Sequence, residues 1–379
     1  MRLVSKNFFT VLLLLHPILG SAIGSNAKIV DQYLLENAPA SVVSLISSLE
    51  GEALQDAMNG ISPARNGLGI FCTQNTIFAL NELIRQRHSD DRFLGCNYSF
   101  SCDPTQKRLS CENRENDYVM WLGLIEEYTK DIPGQETPHF QEITKGALIA
   151  FENDREKGLD FCFGYTFTHL WEKEDLGKAS INQYYLAWSG MTERDEYYID
   201  YSAWVGYHQI YNHRHINFPG YKESATTSIL GWQLMPHLEV GCEEEGDWGT
   251  AEPFISLDWA NNFDQGFMEH GAGALDMIQK SHYTSMLKSE VGLRFYECME
   301  CENLGFRYIF KEKLSYINKA IFGAGKVTAA IPGTLNRFTV HTLPGTLNLV
   351  SFGVDFLFVP LYQNTFYISL SYDGELGSS

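Results

Sequence analysis

Residues 287–295 read Leu-Lys-Ser-Glu-Val-Gly-Leu-Arg-Phe, a stretch with a period of two. Leu287, Val291, Leu293 and Phe295 fall on one face of an extended chain, and Lys288, Glu290 and Arg294 on the other. Such alternation makes a strand that divides an apolar environment from a polar one. A soluble sandwich alternates too, with one face in a dry core. Here three charges sit in mid-strand on the small-residue face, and a dry core does not hold them. A wet lumen does, so the strand reads as one stave of a membrane barrel.

The same period governs the chain from residue 117 to the end. Phe161, Phe163, Tyr165 and Phe167 alternate with Cys162, Gly164, Thr166 and Thr168. Val350, Phe352, Val354, Phe356 and Phe358 alternate with Ser351, Gly353 and Asp355. Eleven strands are predicted near 118–128, 141–152, 158–171, 180–190, 196–210, 225–241, 250–261, 283–297, 302–316, 346–359 and 365–376. Most are longer than the roughly 5–6 residues of a soluble strand. Trp121, Trp171, Trp188, Trp204, Trp232, Trp248 and Trp259 lie in or beside them, as interface girdles require. Long connections at 211–224, 262–282 and 317–345 alternate with short ones at 153–157, 191–195, 298–301 and 360–364, the layout of an outer-membrane barrel. Inward parity makes Lys288, Glu290, Arg294, Arg307, Lys311 and Asp355 the candidate pore-lining residues. They read either as a solvated wall or as a polar collar that docks a helix.

Composition narrows the functional classes. The 379 residues are 44% hydrophobic and 13% aromatic, with 47 acidic against 28 basic residues and a net charge of −19. A chain this acidic, with no basic block, is a poor partner for nucleic acid or anionic lipid headgroups. Arg2 and Lys6 precede the apolar run Phe8 to Leu15, and Gly20-Ser21-Ala22 follows, so residues 1–22 read as a secretory signal peptide. Residues 23–94 carry a helical pattern, with Val42, Val43, Leu45, Ile46 and Leu49 as one stripe. Ser62-Pro63 reads as an N-cap followed by Pro in the first turn. Residues 95–116 form a polar, Cys-containing linker, and residues 117–379 the barrel.

Reactive chemistry is sparse. Cys102 and Cys111 either pair or remain thiols, and Cys242, Cys298 and Cys301 form a second group of disulfide candidates. His213-Arg214-His215 offers two imidazoles, but no third ligand has a suggestive spacing. Gly323-Ala324-Gly325-Lys326-Val327-Thr328 is a poor phosphate loop, and no nucleophile–base pair stands out. No catalytic residue, metal or cofactor is expected.

Several segments resemble one family. Phe366-Tyr367-Ile368-Ser369-Leu370-Ser371-Tyr372-Asp373-Gly374-Glu375-Leu376-Gly377-Ser378 resembles a late strand of the autotransporter β-domain. Leu287 to Phe295 is similar to another strand of that family, as are Phe338-Thr339-Val340 and Leu347 to Phe358. Leu49 to Leu54 and Ile61 to Asn66 resemble the helical linker before its barrel. Glu252 to Asn261 and Phe267 to Gly273 look like the variant of chlamydia-related bacteria. The resemblance implies a 12-stranded antiparallel barrel, put into the outer membrane by the barrel-assembly machinery after Sec-dependent export, with a helix through the lumen. It implies translocation and surface display, or else a passive pore and envelope role. Its partners are then outer-membrane lipid and whatever ligand meets the long loops. Two departures stand out: the passenger is short, and the predicted barrel lacks the family's last strand. The alternatives are a soluble adhesive or carbohydrate-binding β-protein, and a remnant that does not insert.

Overall fold

The structure is a computed structural model. It describes residues 26–94, 118–130, 140–153, 160–172, 177–194, 196–246, 249–301, 306–323, 326–341, 345–360 and 368–378. The expected signal peptide and polar linker, with Cys102 and Cys111, lie outside these residues.

Among the described residues four helices come first: α1 (Asn26–Asn37), α2 (Ala40–Ile46), α3 (Gly51–Ile61) and α4 (Ala64–Leu94). Pro39 precedes α2, and Ser62 ends α3 rather than beginning the next helix. Pro63, which has no backbone N–H to leave unsatisfied, then stands just before α4. At 31 residues, α4 is about 46 Å long, enough to cross a bilayer inside a barrel. Gly69 lets it pass the wall closely, since a Cβ there would lie 3.2 Å from the Ile210 side chain.

Among the described residues sixteen strands follow. They are β1 (Tyr118–Lys130), β2 (Phe140–Asn153), β3 (Asp160–Glu172), β4 (Gly177–Arg194), β5 (Tyr197–Phe218), β6 (Tyr221–Cys242), β7 (Glu244–Gly246) and β8 (Gly249–Asp264). Then come β9 (Phe267–Met268), β10 (Ile278–Gln279), β11 (His282–Cys301), β12 (Phe306–Phe322), β13 (Lys326–Ala330), β14 (Phe338–His341), β15 (Thr346–Pro360) and β16 (Ile368–Ser378). Eleven long strands form one antiparallel meander, β1-β2-β3-β4-β5-β6-β8-β11-β12-β15-β16, curled around α4. All eleven predicted strands are present. Among the described residues no pairing joins β1 to β16, the two ends of this path.

The outward face is apolar as the period requires. Leu186, Val205, Leu234, Ile255 and Leu257 are all exposed. One row of register partners runs Tyr165, Tyr184, Tyr207, Trp232, Phe263 and Tyr283 across six adjacent strands. Three ring pairs within it lie 5.1–5.2 Å apart. It forms an aromatic belt of the kind found at membrane interfaces.

The two ends of the sheet differ. The turn end carries the connections after β2, β4, β6, β11 and β15. The cap end carries the tip between β5 and β6 and the insertions that contain β9, β10, β13 and β14. The connections predicted there as irregular are largely ordered. Residues 211–224 are not a loop: β5 and β6 run on to Phe218 and Tyr221, and Pro219-Gly220 alone makes the turn. Gly220 has φ +84°, which suits glycine, and a Cβ there would strike Leu45 of α2. The other two insertions build a four-stranded sheet, β14-β13-β10-β9, linked to β6 through a bridge between Thr226 and His270.

Helices α1–α3 pack on this small sheet and share an apolar core with it. Val30, Leu34, Val42, Ile46, Met58 and Ile61 meet Ile216, Met277, Val327, Phe338 and Val340. The Tyr33 ring lies 4.4 Å from that of Phe338. Its hydroxyl accepts from the Ile331 N–H at 3.0 Å and donates to the Asn336 carbonyl at 3.2 Å. Residues from both ends of the chain thus make one cap over the barrel.

Candidate functional site

The lumen is occupied by α4, which touches β1, β2, β3, β4, β5 and β8. Nearly every turn of the helix makes a polar contact with the wall. At the cap end, the Thr73 carbonyl accepts from Gln233 at 3.1 Å and Gln183 at 3.4 Å, and its hydroxyl accepts from Asn262 at 2.6 Å. Lys319 of β12 lies 3.3 Å from Asn75 and 2.9 Å from Glu375. At mid-helix, Asn81 donates to Asp258 at 3.1 Å and accepts from Ser202 at 2.6 Å and Trp204 at 2.9 Å.

Below Asn81 the contacts become ionic. Arg85 is buried between Glu82 (2.5 Å), Glu290 (3.2 Å) and Glu239. Arg294 meets Glu239 at 2.9 Å and also Glu252. Its guanidinium lies 3.9 Å from the Phe254 ring centroid, and that of Arg85 lies 5.4 Å from it. Tyr198 donates to Glu239 at 2.8 Å. Arg87 is held by both oxygens of Glu152 at 2.7 Å, a planar fork on a carboxylate. His88 meets Asp200 at 2.7 Å through Nδ1 and Asp160 at 2.8 Å through Nε2, an arrangement that suits the doubly protonated ring. Ser89 bonds Tyr296 at 2.7 Å, and Asp90 pairs with Lys311.

These partners give the helix a direction. Its first turns lie among the cap-end residues of the strands, and its last described side chains among the turn-end residues. The junction with the cap is held by Arg214 of β5, which is 4% exposed. It donates to the Gly60 and Ile61 carbonyls at 3.3 and 3.0 Å and to the Leu275 carbonyl at 3.0 Å, and pairs with Glu269.

The sequence-derived candidates divide into groups. Glu290 and Lys311 touch α4 directly, through Arg85 and Asp90. Lys288 lies 3.3 Å from Glu290, Arg294 pairs within the wall, and Asp355 lies 3.3 Å from Lys311. Arg307 is in β12, with its side chain outside the described residues. The polar cleft left between α4 and β12, β15 and β16 holds about 40 Å³, room for a water or two. Cys242 is a free, half-buried thiol, not a disulfide partner, because its place at the end of β6 lies one strand removed from β11. The side chains of Cys298 and Cys301 lie outside the described residues. Cys72 and Cys162 are both free and buried at opposite ends of the lumen. Among the described residues no three metal-ligating side chains converge.

Sequence reasoning missed the helix's own contribution, Arg85, Arg87, His88 and Asp90, and the wall carboxylates Glu239, Asp160 and Asp200 that meet it. Inward parity on β6, where His237 and Glu239 alternate with Leu238 and Val240, held a signal for the wall groups. In the His213-Arg214-His215 stretch the working residue is the arginine, with both histidines on the outer face.

Comparison with known proteins agrees with this geometry. The family profile described as Autotransporter beta-domain matches residues 145–316. No curated protein sequence matches the chain. The fold is similar to the translocator domain of the autotransporter NalP from Neisseria meningitidis, at 11% identity and TM-score 0.51, covering 83% of this chain and 98% of that one. The β-domain of the Bordetella autotransporter BrkA aligns at 16% identity and TM-score 0.47, over 69% of this chain and 93% of that one. Residues 145–316 thus match the autotransporter β-domain, and the fold is similar to that of an autotransporter translocator barrel.

Proposed function

We propose that the chain delivers its own N-terminal segment to the outer face and keeps it there as a folded cap, with α4 left behind as a plug. The observation that carries this reading is the direction of α4, from the cap end to the turn end, fixed by buried contacts along its length. Short turns face the periplasm in outer-membrane barrels, so the cap end faces outside. A filled lumen favours a plugged translocator over a passive pore for solutes. In this reading residues 1–22 direct Sec-dependent export, 23–94 are the displayed and plugging segment, 95–116 link it to the wall, and 117–379 form the barrel. The barrel-assembly machinery inserts it, and no catalytic step is assigned to it.

Ser44 is exposed on α2, which makes Ser44→Cys a reporter of sidedness. A membrane-impermeant maleimide added to intact cells should label this variant and leave the wild type at background. Labelling only after the outer membrane is permeabilised would overturn the display reading. A heat-modifiable gel band from the detergent-extracted outer membrane checks the barrel itself, and a chain recovered without detergent points to the soluble alternative.

A further inference from the structure

Above the aromatic row that begins at Tyr165 and ends at Tyr283, the outward positions turn polar toward the cap end. One register row joins His169, Ser180, Tyr211 and Ser228. The next joins Trp171, Lys178, His213 and Thr226, and the bridge from Thr226 to His270 extends it by one chain segment. His215 follows on the same face of β5. Its ring stacks on that of His213 with centroids 5.0 Å apart, and its Nδ1 lies 2.9 Å from Ser224 Oγ. Lys178, His169 and His270 are exposed, and His213 and His215 half-buried.

This is a basic face. Four histidines and a lysine gather on it, and no carboxylate occupies either row. Among the described residues none of the five is in an ion pair. Lys178 brings a positive charge to this face of an acidic chain, and the imidazoles bring N–H donors. Its position says what it faces. The aromatic row marks the interface, so the rows just beyond it lie at the depth of the outer-leaflet headgroups. Imidazole N–H groups and an ammonium are donors suited to phosphate oxygens, and clustered basic side chains beside a bilayer attract anionic lipid.

We propose that this face binds the phosphate groups of an anionic glycolipid in the outer leaflet. The proposal rests on the outer-membrane reading for its orientation and adds a ligand to it. Trp171, stacked on His169 at 5.4 Å between centroids, offers an apolar surface to the lipid's sugar or acyl base beside the basic groups.

The test uses the full chain, purified in a neutral detergent and mixed with bisphosphorylated lipid A or with its dephosphorylated counterpart. Lipid that stays with the protein through gel filtration is then measured. Wild type should retain the phosphorylated form, and Lys178→Gln/His213→Gln/His270→Gln should retain about tenfold less. Lys178→Gln alone should give a smaller loss in the same direction. Lys145→Gln, on the outward face of β2, should retain as much as wild type. Equal retention of both lipids, or full retention by the triple variant, would overturn the proposal. Heat-modifiable mobility, measured on every sample, separates the two levels. Its absence in wild type sinks the membrane reading itself, while equal retention by heat-modifiable protein sinks only the lipid site.

Discussion

The lumen and the cap are both cores, built in opposite ways. The cap is closed by apolar side chains from three helices and a small sheet. The lumen mixes apolar contacts such as Phe71, Phe78 and Leu80 with buried ions, of which Arg85, Glu290 and Glu239 are almost wholly hidden. Apolar burial stabilises without much directional demand, whereas a buried ion pair gives up hydration and tolerates only one alignment. The difference suits the display reading proposed above, in which the chain passes through the barrel before the cap closes. A lumen that is wet before the helix enters suits polar walls, and each charged pair then selects one register of α4 along the barrel. The cap, closed by apolar contacts, sets no such register.

This contrast breaks first at Arg85. Arg85→Met should destabilise the folded barrel by about 4 kcal/mol, seen as a lower temperature for loss of the fast-migrating band, because several carboxylates lose their cation. Adding Glu239→Gln should recover part of that loss, and no recovery would argue that Arg85 acts by packing alone. Leu34→Ala, at a position with 0% exposure, should weaken the cap by about 3 kcal/mol. The readout is faster proteolysis between α1 and α3 with the barrel's gel mobility unchanged; a coupled loss of both would mean the two cores fold as one. Asn262→Ala removes the hydrogen bond it donates to Thr73 and the one it accepts from Gln233, and should cost about 2 kcal/mol, on the barrel transition only. Smallest is the pair of Lys145 and Glu126, 2.9 Å apart with both side chains about two-thirds exposed. Replacing both by Gln should shift the barrel transition by less than about 1 kcal/mol.

Much of the wall was legible in the sequence, because a barrel strand writes its two environments into alternate residues. Leu287 to Phe295 is the clearest case, and the observed β11 extends that stretch at both ends. The tip of β5 and β6 was not legible as strand. His213, His215 and Asn217 are polar because they stand beyond the apolar belt, and polarity there imitates a loop. The plug was legible only as helix. Residues from Leu68 to Asp90 are buried on nearly every side, so their apolar and polar positions form no single stripe from which a partner could be inferred. The absence of a basic block was equally misleading, since Lys178, His213 and His270 are far apart in sequence and become neighbours only through strand register.

Asn26 gives the cap a property its core does not. The side-chain amide of this residue donates to the His341 carbonyl at 2.5 Å and accepts from the His341 N–H at 2.8 Å, as a neighbouring strand would. It stands at β14, the outermost strand of the small sheet. An unpaired sheet edge is a template on which identical molecules can zip together. One amide, supplied by the first turn of α1, occupies that edge at His341 and blunts it as a template.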